Sequence, residues 1–171
     1  MVFAPRFTLC SLVYDGLNMM LSQILEPECV KVPLQNTDKN SVITELVDLL
    51  DARGLLLDRK VALEAVFTRE NIRSTAIGSG IAIPHGKCTA VRELVMSIGI
   101  TREPIDFDSI DGKPVSIVIL LISPADQTGP HIQALAKISK LMRDDGFRTA
   151  LTNASTAGSL YELLKSKENH Q

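Results

Sequence analysis

Residues 115–122, VSIVILLI, carry no charge and a single hydroxyl. A strand with one face in water alternates apolar and polar residues; an unbroken apolar run reads as a strand covered on both faces. The run is far too short for a membrane helix, which takes about 20 residues. A chain with such a strand must supply a layer for each side of it, and stretches with apolar residues at helical spacing lie before and after it. That pattern predicts an α/β domain with a mixed sheet covered by helices. At 171 residues the chain is one domain, large enough to bury about two-thirds of its unfolded surface.

The remaining elements follow from local signals. Residues 20–25 read as a short helix and 29–33 (CVKVP) as an edge strand ended by proline. Asn40 or Ser41 caps a helix with Val42, Ile43, Leu46, Val47, Leu49 and Leu50 on its apolar face, and Gly54 stops it. Asp58 caps a second helix whose Val61, Ala62, Ala65 and Val66 face the core, with Arg69 at its end. Residues 94–101 (LVMSIGIT) form a strand, Asp111-Gly112 is a hairpin signal, and Pro114 introduces the central strand. A loop, SPADQTGP, leads into a helix with Pro130 in its first turn and Ile132, Leu135, Ile138 and Met142 at core spacing. A terminal helix packs through Leu160, Leu163 and Leu164, capped by Ser155 or Thr156.

Both ends stand apart from this pattern. Residues 1–19 lack a signal-peptide cleavage pattern, are interrupted by Asp15 and Gly16, and read as an extension or a disordered tail. Residues 167–171 are polar and read as a frayed tail, which leaves His170 without a role. The domain proper spans 20–166.

Composition excludes several functions. A net charge of −2 gives no basic field for nucleic acid. Cys10, Cys29 and Cys88 are odd in number and widely spaced, which argues against a disulfide framework and fits a reducing cytoplasm. Three histidines spread along the chain, with no CxxC or HxxxH pairing, make a poor zinc ligand set.

The chemistry concentrates at residues 78–87, GSGIAIPHGK. Pro84 fixes its own φ and holds the residue before it extended, so His85 sits at a strand's end on a stiff mount. Gly86 permits a sharp turn or the close approach of another molecule's backbone. Near neutral pH much of the imidazole is uncharged and nucleophilic. Lys87 can attract an anion, and the glycine-rich stretch can leave N–H groups free for one. Taken alone, the string reads as a loop histidine after a core strand in preference to a nucleophile, and Cys88 reads as a structural thiol.

Two further residues have double readings. His131, beside Pro130, lies at a helix N-terminus, a natural seat for an anion and also a common place for a surface histidine. Ser123 and Thr128 either hold phosphate or cap and turn. Spacing alone leaves Arg69 in solvent, complementing the helix dipole.

The string from Thr75 to Lys87, TAIGSGIAIPHGK, resembles the active-histidine signature of the enzyme IIA proteins of the bacterial phosphoenolpyruvate-dependent phosphotransferase system. The branch is the fructose–mannitol type, which includes the nitrogen-regulatory enzyme IIA. FTRENIRST before it and PADQTGPHIQALAKIS after it match as well, and the resemblance runs over residues 21 to 164. It implies a sheet of about five strands between helical layers. It implies that His85 takes a phosphoryl group, by family precedent on Nε2, from a small phosphocarrier protein, while Arg69 and His131 stabilise the phosphate. Arg73 is a second arginine candidate, and Ser74, Thr75, Gly86, Lys87 and Thr128 are further phosphate or partner contacts. The scheme needs no metal or organic cofactor and implies a cytoplasmic protein without membrane insertion. The acceptor is either a regulated target protein, which PADQT and the unfused domain favour, or a fructose- or mannitol-type enzyme IIB in sugar uptake. Outside the family, a hydrolase pairing His85 with Cys88 or Ser79 lacks a G-x-S-x-G elbow; a binding module with a structural His85 is the other alternative.

Overall fold

The structure is a computed structural model describing residues 19–170, so Cys10 and the expected extension, save Met19, lie outside the described residues. A single helical turn, α1 (Leu21–Ile24), runs directly into β1 (Leu25–Leu34). Pro33 does not end β1: the strand lies at the sheet's edge, where a missing N–H is tolerated. α2 (Lys39–Ala52) is capped by Asp38, which accepts from the Ser41 N–H at 3.0 Å. Asn40 and Ser41 therefore fall inside the helix. α3 (Arg59–Ile72) is capped by Asp58, as its sequence predicts. Its buried stripe is Ala62, Val66 and Glu70, and this four-residue period turns Val61 outward rather than into the core.

β2 (Ala76–Gly78), β3 (Ile81–Ala82) and β4 (His85–Cys88) follow within the histidine motif, and then come β5 (Val95–Ile105) and β6 (Val115–Pro124). The order is β1-β5-β6-β3-β2, with β4 also paired to β6. β3 and β4 both run parallel to β6 along one edge, with Ala82 opposite Val118 and His85 opposite Leu121. Pro84, which has no N–H to give, separates them, yet its carbonyl still accepts from Leu121 N–H at 3.0 Å. The sheet is thus five strands wide although six strands form it. β1 is parallel to β5, and β5 antiparallel to β6, so the sheet is mixed.

Both alternating sets of β6 side chains are buried, including Ile117, Val118, Ile119, Leu120, Leu121 and Ile122. Cover on both faces is required, and the helices provide it in two groups. α2 and α3 pack on each other and on β1, β4 and β5. α4 (Thr128–Leu141), α5 (Asp145–Thr152) and α6 (Ala157–Asn169), with α1 against α4 and α6, form the other layer. α4 buries His131, Ala134, Ile138 and Leu141; this phase leaves Ile132, assigned to the core by its spacing, 59% exposed.

α6 is capped by Thr156 in a reciprocal arrangement with Ser159. It does not fray from Lys167. Glu168 is buried and accepts from the N–H groups of Leu21 and Ser22 at 2.6 and 2.9 Å, because the first amides of α1 have no partner in their own turn. Lys167 pairs with Asp144. Among the described residues, no helix is long and apolar enough to cross a membrane.

Candidate active site

The glycine-rich turn between β2 and β3 takes three successive positive φ angles, 94° at Gly78, 56° at Ser79 and 77° at Gly80. Glycine adopts these freely and serine does so at a cost. The turn already has an anion from its own chain. Asp111 accepts from Ser79 N–H at 2.9 Å, Lys113 N–H at 3.0 Å and the Ser109 hydroxyl at 2.8 Å. These bonds, Ser79's first, hold its carboxyl down to about 2.

At the other end of the motif, His85 opens β4. Its Nδ1 lies 2.7 Å from the Ile83 carbonyl oxygen. A carbonyl only accepts, so Nδ1 carries the hydrogen and the lone pair of the neutral ring resides on Nε2. Burial pushes the ring's pKa below its ordinary value; the Ile83 bond opposes this, the Arg69 charge adds to it and the Glu70 charge opposes it. The ring is therefore predominantly neutral at pH 7. Gly86, expected to permit a sharp turn or the close approach of another molecule's backbone, is buried, and a Cβ there would stand 3.1 Å from the backbone of Ala65 and Val66 in α3. The backbone it admits is that of its own chain. Cys88 is buried, and burial raises its thiol pKa.

Arg69 lies in the last turn of α3, and Nη1 donates to the Arg73 carbonyl at 2.9 Å. Arg73 itself is exposed at the helix C-cap. The next residue, Glu70, is buried and accepts from Thr75 through both its N–H, at 3.1 Å, and its hydroxyl, while pairing with Lys39 at 2.9 Å. The Ser74 hydroxyl donates to the Phe107 carbonyl at 2.6 Å and accepts from Ala76 N–H at 3.2 Å. Ser74 and Thr75, expected as phosphate or partner contacts, thus commit their hydroxyls to holding the loop behind the site.

His131 comes from the first turn of α4, with its ring centroid 5.4 Å from that of His85 and the planes tilted by 57°. It is 6% exposed. Burial first, then the charges of His85 and Lys87, pull its pKa down to about 4, so this ring is also neutral at pH 7. Its Nδ1 stands 2.8 Å from the Ser123 hydroxyl, which is completely buried in β6. Ser123, open to reading as a phosphate contact or a cap, spends its hydroxyl on His131, and the cap position of α4 falls on Gln127. Lys87 reaches across to Thr128 at the start of α4, Nζ to Oγ1 3.0 Å. Among the described residues the one buried side-chain polar atom without a partner is Gln127 Oε1. Among the described residues the Nε2 atoms of both histidines have no hydrogen-bond partner and are not fully buried. No group of described residues could hold a metal ion.

A neutral imidazole with an open Nε2, a second imidazole beside it, a guanidinium, an ammonium and a helix N-terminus make a nucleophile in surroundings that favour an anion. The class this defines is an α/β domain suited to transferring an anionic group. The family model described as "Phosphoenolpyruvate-dependent sugar phosphotransferase system, EIIA 2" matches residues 23–167, and the chain belongs to that family. It is a phosphotransferase-system component of the enzyme IIA kind. A nitrogen regulatory protein of Klebsiella oxytoca is 35% identical over 149 residues, covering 85% of this chain and 90% of the relative. The fructose-specific EIIABC component of Bacillus subtilis is 31% identical over 146 residues, 85% of this chain but 23% of that longer protein. The crystal structure of the nitrogen regulatory protein IIA-Ntr from Neisseria meningitidis superposes with a TM-score of 0.78 at 32% identity, covering 84% of this chain and 98% of that one.

Proposed function

We propose that His85 is the phosphoryl carrier. In this reading a phosphohistidine on a phosphocarrier protein docks over the site and Nε2 of His85 attacks phosphorus in line. The new N–P bond forms as the donor's N–P bond breaks, and the donor imidazole leaves with the electron pair. Arg69 and His131 stabilise the equatorial oxygens, with Lys87, Thr128 and the start of α4 adding positive potential. A second partner then takes the group from His85 by the same exchange. The observation that carries the reading is the Nδ1 bond to Ile83, which leaves Nε2 as the open, basic atom beside those cations.

The use made of the phosphate is regulatory in our reading: the phosphorylation state is sensed by a target protein. Support comes from the PADQT sequence and from 35% identity to a nitrogen regulatory relative. The 31% identity to a fructose-specific component favours a second reading, delivery to an enzyme IIB for sugar uptake. Either use places the protein in the cytoplasm, in keeping with the free thiols of Cys29 and Cys88.

The test is intact-protein mass after incubation with phosphoenolpyruvate, enzyme I and a phosphocarrier. One acid-labile phosphoryl adduct on the native chain, absent from folded His85→Ala, is the expected result. An adduct that survives in His85→Ala, or none on the native chain, overturns the assignment. Adding candidate enzyme IIB proteins to the phosphorylated chain separates the two uses.

A further inference from the structure

Ser123 is conspicuous because nothing in a strand core requires a hydroxyl there. Its neighbours along β6 are Ile122 and Pro124, it is 0% exposed, and His131 Nδ1 at 2.8 Å is the sole hydrogen-bond partner recorded for its hydroxyl among the described residues. Parallel pairing sets Ser123 opposite Lys87, two residues along from Leu121 opposite His85, so the hydroxyl belongs to the strand pair that presents the proposed nucleophile.

The proton between Ser123 and His131 has two possible arrangements. If Nδ1–H donated to Oγ, the serine's own hydrogen would be buried without an acceptor. Nε2 would then turn a lone pair toward the incoming phosphate, and lone pair and anion repel. If the hydroxyl donates to Nδ1, the buried hydrogen is satisfied and the single ring hydrogen of neutral His131 goes to Nε2, which is not fully buried, on the ring beside His85. Leaving a buried hydroxyl unpaired is the more costly choice, so the second arrangement prevails.

We propose that Ser123 is a positioning residue, whose hydroxyl donates to Nδ1 of His131 and fixes the ring as the Nε2–H tautomer, making His131 a hydrogen-bond donor to the phosphoryl group on His85. The tautomer rests on geometry alone; its consequence for transfer rests on the phosphocarrier reading of His85. His131 thereby stabilises phosphate as a neutral donor, with no need to carry charge. Its low pKa, about 4, accords with this: the ring works without a proton to spare.

Long-range proton–nitrogen NMR of the uniformly nitrogen-labelled full chain at pH 7 reads the tautomer directly. The expected His131 pattern is a bare, acceptor-like Nδ1 and a protonated, pyrrole-like Nε2. The reverse pattern in the native protein overturns the proposal, whatever the phosphorylation assay shows. In Ser123→Ala the His131 signals should move toward a mixture of tautomers, and phosphoryl transfer from the phosphocarrier to His85 should slow roughly tenfold, the loss of about one hydrogen bond to a charged group. Ser123→Thr, which keeps a hydroxyl and suits a strand, should retain the native tautomer and most of the rate, and it serves if the alanine variant fails to fold. An alanine variant with the native tautomer pattern, or with a changed pattern and a native transfer rate, rules out the positioning role. Failure of the native chain to take phosphate at all would instead sink the phosphocarrier reading and leave the tautomer result standing.

Discussion

Nδ1 of His85 and the carbonyl oxygen of Ile83 stand 2.7 Å apart, so the ring is tied to the backbone two residues behind it. The tie uses the hydrogen on Nδ1 in the neutral ring and in the charged one alike, which makes Nε2 the atom that gains and loses the proton. Burial chiefly, with Arg69's charge, holds the pKa below 6.5. An NMR titration of the His85 ring should therefore show its midpoint below that value. Arg69→Gln removes a repelling charge and should raise the midpoint; a downward shift would contradict the placement of Arg69 beside the ring.

His131 should leave a signature in stability. Its folded pKa, about 4, lies below the ordinary 6.5, so on acidification the unfolded chain takes up the proton first. The neutral ring's contribution is complete above about 6.5 and is lost progressively as pH falls toward 4. Urea midpoints measured at pH 7.5 and pH 5 should differ more for the native protein than for His131→Gln. Equal differences would mean that the ring titrates normally.

Gly86→Ala should destabilise the fold by about 1–3 kcal/mol, because the new Cβ, 3.1 Å from the α3 backbone, meets main chain that cannot rotate aside. Gly129→Ala is the matched control, since nothing lies within 4 Å of its Cβ position and it sits in the first turn of α4. Urea denaturation of the two variants should separate them, with Gly129→Ala close to native.

Asp111→Ala should free the β2–β3 turn without disturbing His85. Native Asp111 titrates near 2, so its hold on Ser79 N–H is intact at every pH above its ordinary 3.8 and is lost only as pH falls through that lower value. Amide hydrogen exchange at pH 6 should speed up at Ser79 in the variant while the His85 ring signals stay in place. Unchanged exchange at Ser79 would show that the three positive φ angles hold the turn unaided.

Much of this architecture could be read from the chain, for reasons that differ by residue. The apolar run 115–122 announces a doubly covered strand because no other environment tolerates it. Asp58 and Gly54 mark helix ends through local backbone chemistry, and Gly54 indeed takes φ +67°. Asp38 escaped the reading because Asp38, Asn40 and Ser41 can all cap, and only the extended backbone at Asp38 decides between them. Ile132 and Val61 were turned the wrong way because helical spacing gives a stripe but not its phase; the buried His131 and Glu70 claim the inward positions. β4 has no strand composition at all, since HGKC is paired only through β6, more than thirty residues further along the chain. The bond between Ser123 and His131 is equally invisible to a reading by segments, as it joins the end of one strand to the first turn of the next helix. The resemblance pointed to His85, Arg69 and His131 and to Nε2 of His85, but it says nothing of the tautomer of His131, which only assembled geometry addresses.

Gly86 also governs how β4, packed against α3, can be threaded. His85 and Lys87 point to one face of β4, and Gly86 and Cys88 to the other, where α3 closes in. A slip of one residue against β6 would exchange these faces and drive an imidazole or a lysine into a gap that will not take a methyl group without movement. The glycine acts as a keyway: the chain seats in one register only, and that register is the one that brings the imidazole out beside His131.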